Sequence, residues 1–143
     1  MKQWTTTLLV ALFSITLIAG CGGGNGIGDG TPEGDVKQVV SNMFEATKQM
    51  DFDALGKCLV PAEAKKIEMM KGMMKMIPAE KMEEMKAELA TAKMTFGEVK
   101  IDGDTATCVM TVTGMAEGEE KEQTDTMNLK KIDGKWYLAS MPK

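Results

Sequence analysis

The sequence predicts an α+β domain: helices first, then a four-stranded antiparallel sheet. Two observations carry this. Up to about Lys93, apolar residues recur at three- and four-residue steps, the period of an amphipathic helix. After Met94 the period becomes two, with Asp-Gly pairs between the alternating runs, as in an antiparallel meander. Helices in one block and strands in the next are the pattern of an α+β fold.

Thr31-Pro32-Glu33 reads as a helix start, with Thr31 as cap, Pro32 in the first position and acids in the first turn. Val36, Val39, Val40, Met43, Phe44 and Thr47 then form one stripe, and the helix is expected to run to about Met50. Asp51-Phe52-Asp53 opens a short second helix to Leu59. Pro61 opens a third and Pro78 a fourth that ends near Lys93, with a break at Ile77 because the residue before proline disfavours the helical region. Strands are expected over Thr95–Ile101, Thr105–Thr113, Gln123–Ile132 and Lys135–Met141, with an acidic loop from Gly114 to Glu120. On the second strand Ala106, Cys108, Met110 and Val112 share the apolar face. Trp136 and Tyr137 fall on opposite faces of the last, one core and one rim.

The chain has 143 residues, no His, and lysine as the whole of its 17 basic residues. Histidine-based triads and metal sites are thereby excluded, and so are bidentate arginine forks for phosphate. A net charge of -4 argues against a nucleic-acid partner, which would need a basic face.

The N-terminus carries an address. Lys2 is followed by an apolar run from Leu8 to Ile18, too short to span a bilayer comfortably and therefore read as a signal peptide. Ile18-Ala19-Gly20-Cys21 resembles the lipobox of bacterial lipoproteins. The resemblance implies cleavage of residues 1–20 and acylation of Cys21, hence a protein anchored to the membrane of the cell envelope by its lipid. With no Asp beside that cysteine, Gram-negative sorting rules imply the outer membrane, periplasmic side. Residues 21–32 are a glycine-rich tether and residues 33–143 the single domain; seven of the thirteen residues from Gly22 to Gly34 are glycine. The tract is not a phosphate loop, since no strand precedes it.

The order of the pieces resembles the nuclear transport factor-like, or cystatin-like, cone, and in particular small bacterial lipoproteins of uncharacterised function with that fold. The resemblance rests on Val36-x-x-Val39, Phe44, Asp51-Phe52-x-x-Leu55, Asp102-Gly103-Asp104-Thr105-Ala106, and Lys131-Ile132-Asp133-Gly134-Lys135-Trp136-Tyr137-Leu138. It implies helices packed in the concave face of a curved sheet, and no activity. Related enzymes place acids, bases or aromatics inside the cone; the inward positions here are Ala, Cys, Met, Val and Leu.

Fifteen residues are methionine, and seven of them cluster at Met69, Met70, Met73, Met74, Met76, Met82 and Met85. At 100° per residue, the third helix gathers its methionines with Ile67 and Ile77 into an arc of about 180°. That stripe fits burial against the sheet, a groove for an apolar ligand or partner, or soft-metal capture, since thioethers select Cu(I). Cys58 and Cys108 remain once Cys21 is acylated: either a disulfide formed in an oxidising compartment, or two buried thiols. The acids Glu83, Glu84, Glu117, Glu119 and Glu120 lie in exposed segments, and no cofactor or metal set is nominated. The sequence therefore points away from an enzyme. It suggests a non-catalytic envelope lipoprotein that binds an apolar ligand, or else an accessory that docks another envelope protein or handles Cu(I).

Overall fold

In a computed structural model, which describes residues 27–140 except Glu117, four helices precede a four-stranded sheet. The signal segment and the acylated Cys21 expected from the sequence lie outside the described residues. From Gly28 onward the chain is already turned onto the domain, the Gly28 N–H donating to Gly34 O at 3.0 Å. Helix α1 (Pro32–Gln49) starts as its sequence requires, with Thr31 Oγ1 accepting from the Gly34 N–H and Pro32 in the first turn. It ends at Met50, whose left-handed backbone (φ 54°) donates to the carbonyls of Ala46 and Thr47.

Helix α2 (Phe52–Cys58) is capped by Asp51, whose carboxylate accepts from the Asp53 and Ala54 N–H groups. Helices α3 (Pro61–Met74) and α4 (Ala79–Thr91) both follow a proline-directed break and have no side-chain cap. The strands are β1 (Lys93–Asp102), β2 (Thr105–Ala116), β3 (Glu119–Ile132) and β4 (Lys135–Leu138), antiparallel in the order β1-β2-β3-β4.

The strands depart most from expectation at the β2–β3 hairpin and at the end of β4. The acidic segment after Thr113 is not a loop: Gly114 pairs with Lys121, Met115 with Glu120 and Ala116 with Glu119, so the hairpin runs almost to its tip. Side-chain charge at an exposed rim does not oppose backbone pairing, and α4 holds the strand there. The Met115 N–H donates to Thr91 Oγ1 at 3.2 Å, and a Cβ on Gly114 would stand 3.3 Å from Ala92 Cα, so glycine eases this approach and a side chain would require Ala92 to give by a few tenths of an ångström. At the other end β4 stops at Leu138 instead of running on to Met141. The Leu138 carbonyl accepts from the Val60 N–H at 2.9 Å, diverting the chain to the α2–α3 junction. The last turn, Asp133-Gly134, has positive φ at both residues, the pairing of a type I′ hairpin.

One face of the sheet is covered. Val36, Val40 and Met43 of α1 pack with Ala106, Cys108, Met110, Met127, Leu129 and Leu138 in a single apolar cluster. The alternation assigned from sequence holds: Ala106, Cys108 and Met110 are buried, and Trp136 is core while Tyr137 is half-buried. Packing thins outward from there. α2 rests on α1, α3 makes its main contacts with α2, and α4 leans on α1 and β2. Ile67 is the buried residue of α3, and α4 has none. Leu138, wholly buried and bridged to Leu59, joins sheet to helices. Leu138→Ala is expected to lower stability by about 2–5 kcal/mol in urea unfolding, whereas Thr107→Ala on the open face stays within about 0.5 kcal/mol.

Candidate functional site

The helices do not close on one another. Between α1, α2, α3 and α4 lies a cavity of about 210 Å³. Its floor is Met43, Ala46 and Thr47 of α1 with Leu138 of β4; Phe52 and Leu55 of α2 form one wall. Met70 and Met74 reach in from α3, and Met85 and Leu89 from α4. The one hydroxyl on the wall is already used, since Thr47 Oγ1 donates to Met43 O at 2.8 Å. The cavity therefore offers thioether and hydrocarbon, with no vacant side-chain donor.

Met50 also lines it, from the left-handed position that ends α1. Glycine is the usual residue there, and a side chain costs of order 1 kcal/mol in that conformation. The strain is tolerated where the side chain serves, here as part of the cavity wall.

The methionine cluster read from the sequence as one stripe is divided by the structure. Met70, Met74 and Met85 border the cavity, and Met82 is half-buried without lining it. Met69, Met73 and Met76 face solvent with 71%, 65% and 84% of their surface exposed. An arc of about 180° is wider than one neighbouring helix covers, so its far half stays outside. The stripe does not pack on the sheet, because α3 stands on α2.

Cys58 and Cys108 are free thiols here, and the disulfide left open by the sequence is not formed. Cys58 Sγ is turned back to its own helix, 3.4 Å from Ala54 O, while Cys108 lies within the α1–sheet cluster. Burial raises both thiol pKa values above 9.0, with Lys37 partly opposing the shift at Cys108. Neither is placed as a nucleophile, since the thiolate is the reactive form.

A larger hollow of about 730 Å³ lies open between α1, α2 and β4, lined by Gln38, Asn42, Gln49, Lys57 and Tyr137 among others. It is a wet surface groove, and its amides partly satisfy one another, Gln38 Nε2 donating to Asn42 Oδ1 at 2.8 Å. The buried indole N–H of Trp136 finds no acceptor among the described residues. No three His, Cys, Asp or Glu side chains among the described residues converge as a metal set. The 210 Å³ cavity is the better candidate because it is the more sheltered of the two and almost wholly apolar.

A family profile described as "Domain of unknown function (DUF4878)" matches residues 28–139. The chain belongs to this family. The match spans the whole α+β unit, from the turn before α1 to the residue after β4. Among solved structures, the chain is similar to an NTF-2 like protein of unknown function from Shewanella oneidensis MR-1: 20% identity, TM-score 0.58, covering 77% of this chain and 96% of that one. A SEC-C motif containing protein from Rhodopseudomonas palustris aligns at 14% identity and TM-score 0.49, covering 79% of this chain and 77% of that one. No curated protein matches the sequence. The DUF4878 chain thus has the NTF2-like fold that its helix-then-meander order suggested.

The joint between α2 and α3 is electrostatic as well as apolar. Lys71 of α3 bridges Asp53 of α2 and Glu68 of its own helix. That contact holds the Asp53 carboxyl below 3.8 and the Lys71 ammonium above 10.5. The lowered carboxylate stabilises above pH 3.8, a support lost as pH falls through its lower folded value. The raised lysine stabilises below pH 10.5 and fails as pH climbs through its higher folded value. Lys71→Met should therefore lower the urea midpoint at pH 7, and the difference from the parent should shrink as pH falls below 3.8 and Asp53 becomes protonated. For the cysteines, native-state alkylation should stay slow at pH 8 and quicken above pH 9, and the intact mass without reductant should show no two-hydrogen deficit.

Proposed function

We propose that this DUF4878 chain is a lipid-anchored envelope protein whose domain binds an apolar ligand and performs no chemistry on it. The observation that carries the reading is the sheltered, almost wholly apolar cavity between the helices, with its single hydroxyl already donating to Met43 O. A ligand held there gains by hydrophobic burial and shape alone. Methionine suits such a wall, because an unbranched, polarizable side chain adapts to guests of different outline.

The volume sets the guest. A cavity of about 150 Å³ lined by aliphatic and aromatic side chains holds benzene, and a methylene takes roughly the 30 Å³ that a water does. At about 210 Å³ the site suits an alkyl-substituted ring or some six or seven carbons of an acyl chain. At about 0.8 kcal/mol per buried methylene, the gross gain is about 5 kcal/mol, so affinities near the sub-millimolar range are expected. A polar head would remain outside, since nothing on the wall receives it.

The lipobox-like Ile18-Ala19-Gly20-Cys21 supports the anchor. Labelled palmitate is expected to appear on the chain when expressed in bacteria and to vanish in Cys21→Ser. For the cavity, titration with toluene and with linear alkanoates of increasing length is expected to show saturable binding that plateaus once about seven carbons are buried. Met85→Trp, which fills the space, should weaken binding at least about tenfold while leaving the melting temperature equal or higher. Unaltered binding in that variant, or affinity that tracks only the ligand's charge, would contradict the reading.

A further inference from the structure

The outward face of α3 has a composition of its own. Met69 and Met73 stand together on it, and Met76 continues the ridge in the turn that follows. At 100° per residue, Lys65 and Lys66 flank these methionines, and the exposed arc of about 120° around Met69 holds no carboxylate. Glu63 and Glu68 fall to its sides, where they pair with Lys66 and Lys71. From Pro61 to Pro78 there are four lysines against two glutamates, in a chain whose net charge is -4. The most exposed apolar ridge of the domain thus coincides with a locally basic helix.

We propose that this face rests on the surface of an anionic phospholipid bilayer, the three methionines entering the boundary with the acyl chains and the lysines meeting lipid phosphate. Flexible thioether side chains bury readily in such a boundary, and lysine reaches from an apolar face to a headgroup by extending its stem. The alternatives fit the composition less well. A protein-docking face is usually anchored by Trp, Tyr or Arg, and this ridge has none. A soft monovalent metal would meet two ammonium groups beside its thioethers. The helix is also available: it buries only Ile67 and rests chiefly on α2, so its outer side is not needed by the fold. The inference stands apart from the cavity reading, because it concerns the exposed methionines, a sector of the helix roughly 110° around from Met70 and Met74.

Oxidation footprinting of the full chain tests it without any label. Hydrogen peroxide transfers one oxygen atom to an accessible thioether and leaves as water, and peptide masses then give a rate at each methionine. Met115, exposed on the β2–β3 hairpin away from α3, is the internal reference. With excess phosphatidylglycerol vesicles, oxidation of Met69, Met73 and Met76 is expected to slow about fivefold or more relative to Met115; phosphatidylcholine vesicles are expected to change the ratio less than about twofold. The double variant Lys65→Glu, Lys66→Glu should lose the protection while keeping its circular-dichroism melt. Three results overturn the proposal: rates unchanged by phosphatidylglycerol, equal slowing at Met115, or protection that grows with protein concentration in the absence of vesicles, which would assign the ridge to a second copy of the chain.

Discussion

Everything in this domain hangs from one packing contact, the stripe of α1 against the concave face of the sheet. Val36, Val40 and Met43 meet Cys108, Met127, Leu129 and Leu138 there, and the exclusion of water from that layer supplies most of what holds the fold. The other helices are attached in series: α2 to α1, and α3 to α2 through Ile67 and the Lys71–Asp53 bridge. Each step outward buries less apolar surface. Local opening is therefore expected to be easiest at α3 and α4, which are also the walls of the cavity.

The cavity follows from this arrangement. α4 is drawn to the end of β2 by Ala92 and Thr91, whereas α3 is drawn to α2, so the two helices diverge. Methionines from both span the gap without filling it. Branched residues in their place would need a closer fit, so the Met70, Met74 and Met85 wall combines support for the fold with room for a guest. Met50 accepts a backbone conformation suited to glycine to complete the same wall. α3 presents the exposed ridge beside the cavity wall, roughly 110° around its axis from Met70 and Met74.

Much of this was legible in the residues. Thr31-Pro32, Asp51, Pro61 and Pro78 marked the helix starts to within a residue, since caps and proline act locally. The alternation at Ala106, Cys108 and Met110 marked the inner face for the same reason. The strand ends at Ala116 and Leu138 were not legible, because they depend on distant partners: Ala92 and Thr91 for one, Val60 for the other. The methionine cluster stood out in composition, and the period placed it on one half of α3. Which methionines turn inward was decided by where α2 docks, and that is a tertiary fact. The sequence marks Met50 only as the end of α1; its place in the cavity wall depends on where the other helices dock, which no local pattern carries.

The proposed function requires the space between α1, α3 and α4 to be a dry apolar cavity that a guest can enter. Xenon, which seeks dry cavities, reads this directly. A crystal of the protein under xenon pressure should show the gas among Met43, Met70 and Met85, close to Leu138, and Met85→Trp should expel it. Electron density with the methionine side chains collapsed into that space and no xenon bound would contradict the account.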